Sequence, residues 1–184
     1  MNFRPTPLAG VILVEPDVHS DARGFFLEAY HAVKYKAAGI DAIFVQDNHS
    51  KSGRGTLRGL HAQWRKPQGK LVRTLAGEIF DVAVDARKGS PTFGKWFGTT
   101  LSSTNHHQLW VPAGFIHGFC VVSETAEVEY KCTDLYDPGG ELGVAWNDPA
   151  IGVVWPTSQP ILSAKDAAAP PLSAVLDKLP SFRP

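Results

Sequence analysis

Apolar and polar residues alternate strictly along two stretches of the chain. In residues 79–85, Phe80, Val82 and Val84 fall on one face and Ile79, Asp81, Ala83 and Asp85 on the other. In residues 126–133, Ala126, Val128, Tyr130 and Cys132 share one face, opposite Glu127, Glu129, Lys131 and Thr133. Successive side chains of a strand point to opposite sides, so a period of two predicts strands. The mostly apolar face of the second, with Tyr130 on it, is expected to look inward. Elsewhere short runs rich in Val, Ile, Phe and Thr are cut by turn signals at 21–24, 52–55, 67–69, 88–91 and 138–140. That spacing predicts an all-β sandwich or barrel. Helical pattern is confined to residues 28–38, stopped by Gly39, to a short turn at 164–168 capped by Ser163, and to residues 173–179. There is no repeat, linker or low-complexity tract, so one domain is expected over residues 1–184.

Composition narrows the function classes. The formal net charge is zero, which gives no reason to expect a nucleic acid or an anionic membrane as partner, although a local basic cluster can still hold a small anion. No apolar run approaches the roughly 20 residues that a membrane span needs, and residues 1–10 lack a charged-then-apolar signal pattern, so a cytoplasmic protein is expected. The only cysteines, Cys120 and Cys132, lie in strand-like apolar runs and read as buried reduced thiols.

Two segments concentrate chemistry. The first is Gly55-Thr-Leu-Arg58-Gly-Leu-His61-Ala-Gln63, followed by Gln68-Gly-Lys70, which brings Arg58, His61 and Lys70 within a hairpin's reach. Strict alternation puts Arg58 and His61 on opposite faces, so lining one pocket together requires Gly59 to break the pleat as a bulge. The second is Pro112-Ala-Gly114-Phe-Ile-His117-Gly-Phe119, which resembles the second motif of the cupins. Metal-binding cupins add an HxH pair to that histidine. Here the corresponding residues are His61-Ala-Gln63, so no metal is expected; the adjacent His106 and His107 cannot replace the missing ligand, because neighbours on a strand diverge. A histidine base, a lysine cation and an inward tyrosine suit proton transfer beside a ketone: one group removes the proton, one steadies the enolate, one reprotonates. Taken singly, Tyr130 also reads as a core tyrosine with a satisfied hydroxyl, and the charges as an ordinary solvated hairpin.

Taken together, the ordered segments resemble the dTDP-4-dehydrorhamnose 3,5-epimerase family over residues 10–166. They are Asp21-Ala-Arg-Gly-Phe-Phe-Leu-Glu28, Phe44-Val-Gln-Asp-Asn-His-Ser50, Leu57-Arg-Gly-Leu-His61, Gln68-Gly-Lys-Leu-Val-Arg73, Phe80-Asp-Val-Ala-Val-Asp85, Ser90-Pro-Thr-Phe-Gly-Lys-Trp96, the Pro112 motif, Ala126-Glu-Val-Glu-Tyr-Lys131 and Trp146-Asn-Asp148. The resemblance implies a double-stranded β-helix (a cupin-like jelly roll) with a few short peripheral helices, no cofactor, a dTDP-linked 4-keto-6-deoxy sugar as substrate and a homodimer that shares residues between sites. It implies His61 as base, Asp166 as its carboxylate partner, Tyr130 as acid and Lys70 at the enolate oxygen. Arg58 and His117 would line the sugar pocket; Arg23, Phe26, Glu28, Gln46 and Asn48 would serve the nucleotide side. Nothing local to Asp166 suggests such a role; alone it reads as a surface residue. The chain departs from the family at Ala62, where an aromatic is usual, and at Ile116, where a smaller residue is usual, and both substitutions are expected to reshape the pocket. The alternatives are an epimerase acting at C3 or C5 only, a metal-dependent cupin oxygenase, and a non-catalytic sugar-nucleotide binder.

Overall fold

The turn-punctuated runs form thirteen strands and two short α-helices in a computed structural model, which describes residues 1–182. In chain order these are β1 (Asn2–Pro5), β2 (Ile12–Glu15), β3 (Val18–Asp21), β4 (Gly24–Leu27), α1 (Ala32–Ala37), β5 (Gln46–Gly53), β6 (Leu57–Gln63), β7 (Lys70–Ala76), β8 (Glu78–Asp85), β9 (Trp96–Ser102), β10 (Gln108–Val111), β11 (Phe115–Val121), β12 (Thr125–Cys132), β13 (Glu141–Gly143) and α2 (Ala164–Ala167). A six-stranded sheet runs β1-β2-β10-β7-β12-β5 and a five-stranded sheet runs β13-β6-β11-β8-β9. The chain shuttles between them, as a jelly roll requires, and the fold is all-β. Strands β3 and β4 form a separate ribbon paired with neither sheet.

The inner faces meet in a core that includes Val72, Leu109 and Val128 from the six-stranded sheet and Ile79, Ala83, Phe115 and Phe119 from the five-stranded sheet. The alternation on β12 has the expected sense: Ala126, Val128 and Cys132 are buried. Strand β8 is buried on both faces. Its Val82 and Val84 lie under Leu172, Val175 and Leu179 of the C-terminal arm, together with Leu60 and Ile116. Cys120 and Cys132 are buried free thiols. No helix among the described residues is long and apolar enough to cross a membrane.

Two helical expectations need correction. The 28–38 helix is only Ala32–Ala37, because β4 holds the chain extended to Leu27 and His31 is an extended N-cap without a side-chain bond; Gly39, at φ +89°, ends it as expected. The 173–179 segment is a 3₁₀ turn, Leu172–Lys178, whose Leu172 and Val175 sit three apart, the spacing at which 3₁₀ side chains eclipse on one face. Ser163 does cap α2: its Oγ accepts from the Asp166 amide at 3.0 Å.

The pleat breaks where the sequence demands it. On β11 His117 pairs with His61 and Phe119 with Arg58, so two steps on β11 face three on β6. The extra residue turns Arg58 and His61 towards the same cavity. Gly59 has φ +135°, and a Cβ there would lie 2.6 Å from the Cα of Gly118. The bulge thus requires glycine both for backbone conformation and for strand approach. Gly59→Ala is expected to cost about 1–3 kcal/mol of stability and to lower activity per folded molecule. Gly53→Ala, where the nearest atom to an added Cβ is 3.9 Å away, is expected to show neither effect. Thermal denaturation of the two variants side by side checks this.

Candidate active site

A cavity of about 640 Å³ opens between the two sheets. The five-stranded sheet contributes Arg58 and His61 from β6 and His117 from β11; the six-stranded sheet contributes Gln46 and Asn48 from β5, Lys70 from β7 and Tyr130 from β12. Ser163, Lys165 and Asp166 of the C-terminal arm close one side.

His61 Nε2 lies 2.5 Å from Asp166 Oδ1 across 105 residues of chain. Asp166 is buried, which corrects its surface reading; the short helical turn that carries it is folded onto the sheet. An ionised carboxylate can only accept, so the proton sits on Nε2 and the lone pair on Nδ1. Burial lowers the His61 pKa, Asp166 and Glu141 pull it back, and the net result lies below the ordinary 6.5. The imidazole is therefore neutral near pH 7.

Lys70 lines the facing wall of the cavity. Burial lowers its pKa, opposed by Cys132, Asp81 and Glu141, and among the described residues its ammonium makes no hydrogen bond or ion pair. The Tyr130 hydroxyl also has no partner among the described residues, which tells against a core tyrosine with a satisfied hydroxyl; burial raises its pKa. His117 donates its Nε2 proton between both oxygens of Asp81, at 2.9 and 3.1 Å, and Asp81 is fully buried. Arg58 donates from Nε and Nη2 to Ser52 Oγ. Gln46 donates to Asn48, and Asn48 to the Cys132 sulfur. Gln63, which stands at the missing cupin ligand position, is committed to structure: its amide donates to the Lys66 and Leu135 carbonyls and accepts from the Asp137 amide. No cluster of three or more His, Cys, Asp or Glu side chains suited to a metal occurs among the described residues.

Three of the candidates are not brought together with the rest. Arg23 is clamped to Asp21 on the exposed ribbon, Phe26 is 71% exposed, and Glu28 pairs with Lys34 at 2.7 Å. None lines the cavity of its own chain, and the β3–β4 ribbon pairs with neither sheet. Ala62 does line the cavity, whereas Ile116 points into the outer cluster and does not reshape the pocket. Sequence reading missed Asp81, Tyr136, Glu141 and Lys165. Asp81 carried a signal, a carboxylate on the face shared by Ile79 and Ala83; the others carried none. The Tyr136 hydroxyl donates to Glu141 Oε2 at 2.8 Å, and Lys165 forms an ion pair with the other Glu141 oxygen.

The two sheets and their inter-sheet cavity define a cupin-type jelly roll with an acid–base pocket. The sequence model of the family described as dTDP-4-dehydrorhamnose 3,5-epimerase matches residues 5–174, and the chain belongs to that family. It is 55% identical over 174 residues to the dTDP-4-dehydrorhamnose 3,5-epimerase of Salmonella typhimurium, covering 93% of this chain and 95% of that protein. The match to the Neisseria gonorrhoeae protein of the same name is 56% identical over 91% of this chain, but spans only about half, 52%, of that longer relative. The crystal structure of the Legionella pneumophila dTDP-6-deoxy-D-glucose-3,5-epimerase in complex with dTDP-4-keto-L-rhamnose superposes with a TM-score of 0.96 at 48% identity, covering 100% of this chain and 99% of that one.

If the Asp166 contact sustains His61, the acid limb of kcat/KM reports the imidazole and has its midpoint below pH 6.5. Asp166→Asn removes the largest influence raising that pKa, so the limb is expected to move to still lower pH. The rate plateau should fall by about 10²-fold or more as the imidazole loses its orienting partner. A pH–rate profile of both proteins measures this.

Proposed function

We propose that this chain epimerises dTDP-4-dehydro-6-deoxy-D-glucose at C3 and C5, giving dTDP-4-dehydro-L-rhamnose, without a cofactor. The single observation carrying the mechanism is the opposition of the His61–Asp166 pair on one wall to the unpartnered Tyr130 hydroxyl and Lys70 ammonium on the other. Family membership supplies the substrate.

The reaction follows from that opposition. Nδ1 of His61 takes the proton from the carbon beside the C4 ketone, and the electron pair moves to O4 as an enolate. The Lys70 ammonium stabilises that charge in a cavity of low dielectric. Tyr130, kept protonated by burial, returns a proton to the opposite face, and the configuration inverts. The imidazolium and phenolate then exchange their proton balance with solvent, restoring both groups. Arg58 and His117 border the sugar; Gln46 and Asn48 serve the nucleotide side. Arg23, Phe26 and Glu28 serve it only from a second copy, since none of them lines the cavity of its own chain and Phe25 and Phe26 are exposed. The working form is therefore a homodimer of C2 symmetry.

His61→Ala is expected to abolish both solvent exchange and inversion, because no enolate forms. Tyr130→Phe should still exchange C3 or C5 protons in deuterated water while inversion is impaired by ~10² or more. Mass and stereochemical analysis of one sample reads both; full inversion at the wild-type rate would refute the acid role, and deuterium at one carbon only would reduce the reaction to a single epimerisation. Light scattering at micromolar concentration should give twice the chain mass; a monomer would remove Arg23, Phe26 and Glu28 from the site.

A further inference from the structure

We propose that Asp148 is a positioning residue, a buried latch that sets the reach of Asp166 to His61. This rests on the acid–base reading of that pair.

Asp166 sits on an arch of chain held at both ends. Upstream, Ile161 exchanges backbone hydrogen bonds with the segment entering β6: the Leu57 amide donates to Ile161 O at 3.0 Å and the Ile161 amide to Gly55 O at 2.8 Å. Downstream, the Ala145 amide donates to Pro170 O at 2.8 Å. The next tie is a side chain: the Leu172 amide donates to Asp148 Oδ2 at 2.6 Å, over a sequence distance of 24. The other oxygen of Asp148 accepts from the Ala150 amide at 2.8 Å, and its backbone carbonyl accepts from Ile151 and Gly152. Asp148 is 4% exposed and does not line the cavity.

An acceptor needed only to close the 148–152 turn would require one oxygen, as in an Asx turn. Here the second oxygen reaches the arm six residues beyond Asp166. A buried carboxylate is costly unless both oxygens are bonded, so the latch has one preferred geometry. That geometry fixes where the arch returns to the sheet, beside Val144, which exchanges backbone hydrogen bonds with Leu60 next to His61. Asp148 reaches the reaction only through Asp166. It also accounts for the Trp146-Asn-Asp148 motif, which the cavity leaves unused.

Asp148→Asn replaces one acceptor oxygen with a donor and leaves one amide unsatisfied. In the wild type, proton NMR should show a far-downfield His61 imidazole N–H, identified by its loss in Asp166→Asn. Folded Asp148→Asn should lose or broaden that signal, and kcat should fall about 10- to 10²-fold with KM unchanged, the signature of misplacing a catalytic group. In the Asp166→Asn background the same change should leave kcat where Asp166→Asn alone puts it, because both act through one contact. An unchanged resonance and kcat in folded Asp148→Asn, or additive losses in the double variant, would overturn the latch. Should Asp148→Asn not fold, Asp148→Ser, which keeps one acceptor, goes through the same tests; failure of both to fold would make Asp148 a folding residue and overturn the positioning role. If the wild type does not epimerise the dTDP-keto sugar, the functional reading fails, and the resonance alone decides the latch.

Discussion

The site depends on a break in one strand. A regular strand offers alternate residues to each face, so Arg58 and His61 would diverge, one into the cavity and one into the cluster beneath the C-terminal arm. The bulge at Gly59 resets the phase between them. Beyond the bulge Leu60 enters the outer cluster and pairs by backbone with Val144, so the residue before His61 is anchored from behind. The close approach of Gly59 and Gly118 brings His61 opposite His117 on the neighbouring strand. Two histidines thus occupy one wall of the cavity, each with its own buried carboxylate.

Legibility in the sequence followed locality. The strands showed wherever one face was buried and the other was not, as on β12, where the inward position of Tyr130 follows from Ala126, Val128 and Cys132. The need for a bulge was legible because Arg58, Gly59 and His61 are neighbours and the period of a strand is fixed. Strand β8 showed its alternation without showing which face was inner, because the arm from the far end of the chain covers the outer side. Asp166 was legible only through family resemblance: 105 residues separate it from His61, and its own segment reads as an exposed turn. Glu141 and Lys165 were not legible at all, because their pairing joins β13 to α2 across the fold. The limits of α1 were misread because a 3.6-residue pattern does not reveal that residues 28–31, which follow the hairpin, stay outside the helix, with His31 an extended N-cap.

Burial in the cavity pushes His61, Lys70 and Tyr130 towards their neutral forms, and each shift bears on the role proposed for that residue. A lowered imidazole pKa leaves His61 neutral, with Nδ1 unprotonated. A raised phenol pKa keeps Tyr130 protonated until a strongly basic carbanion needs it. The lowered lysine pKa marks an ammonium poorly solvated and without a contact partner, whose charge is open to a developing enolate. Asp81 cannot stand in for Asp166, since both of its oxygens already accept from His117. The two carboxylates are therefore not redundant, although both lie within one sandwich.

Inversion at carbon sets the last requirement. An enolate is planar at the reacting carbon, and the group that removed the proton stands on the face from which it left. Delivering a proton to the other face needs a donor on the far side of that plane, which the side chains of one sheet face cannot provide. A sandwich supplies two facing walls about 10 Å apart, room for one sugar ring between them. Here β6 carries His61, the proposed base, on one wall and β12 carries Tyr130, the proposed acid, on the other, in different sheets of the same chain. The Lys70 strand, β7, is hydrogen-bonded to β12, with Cys132 opposite Lys70, so Lys70 shares the sheet of Tyr130 and not that of His61. The cation that lowers the His61 pKa is Lys165, beside Asp166 on the C-terminal arm, whereas Lys70 stands in the facing sheet.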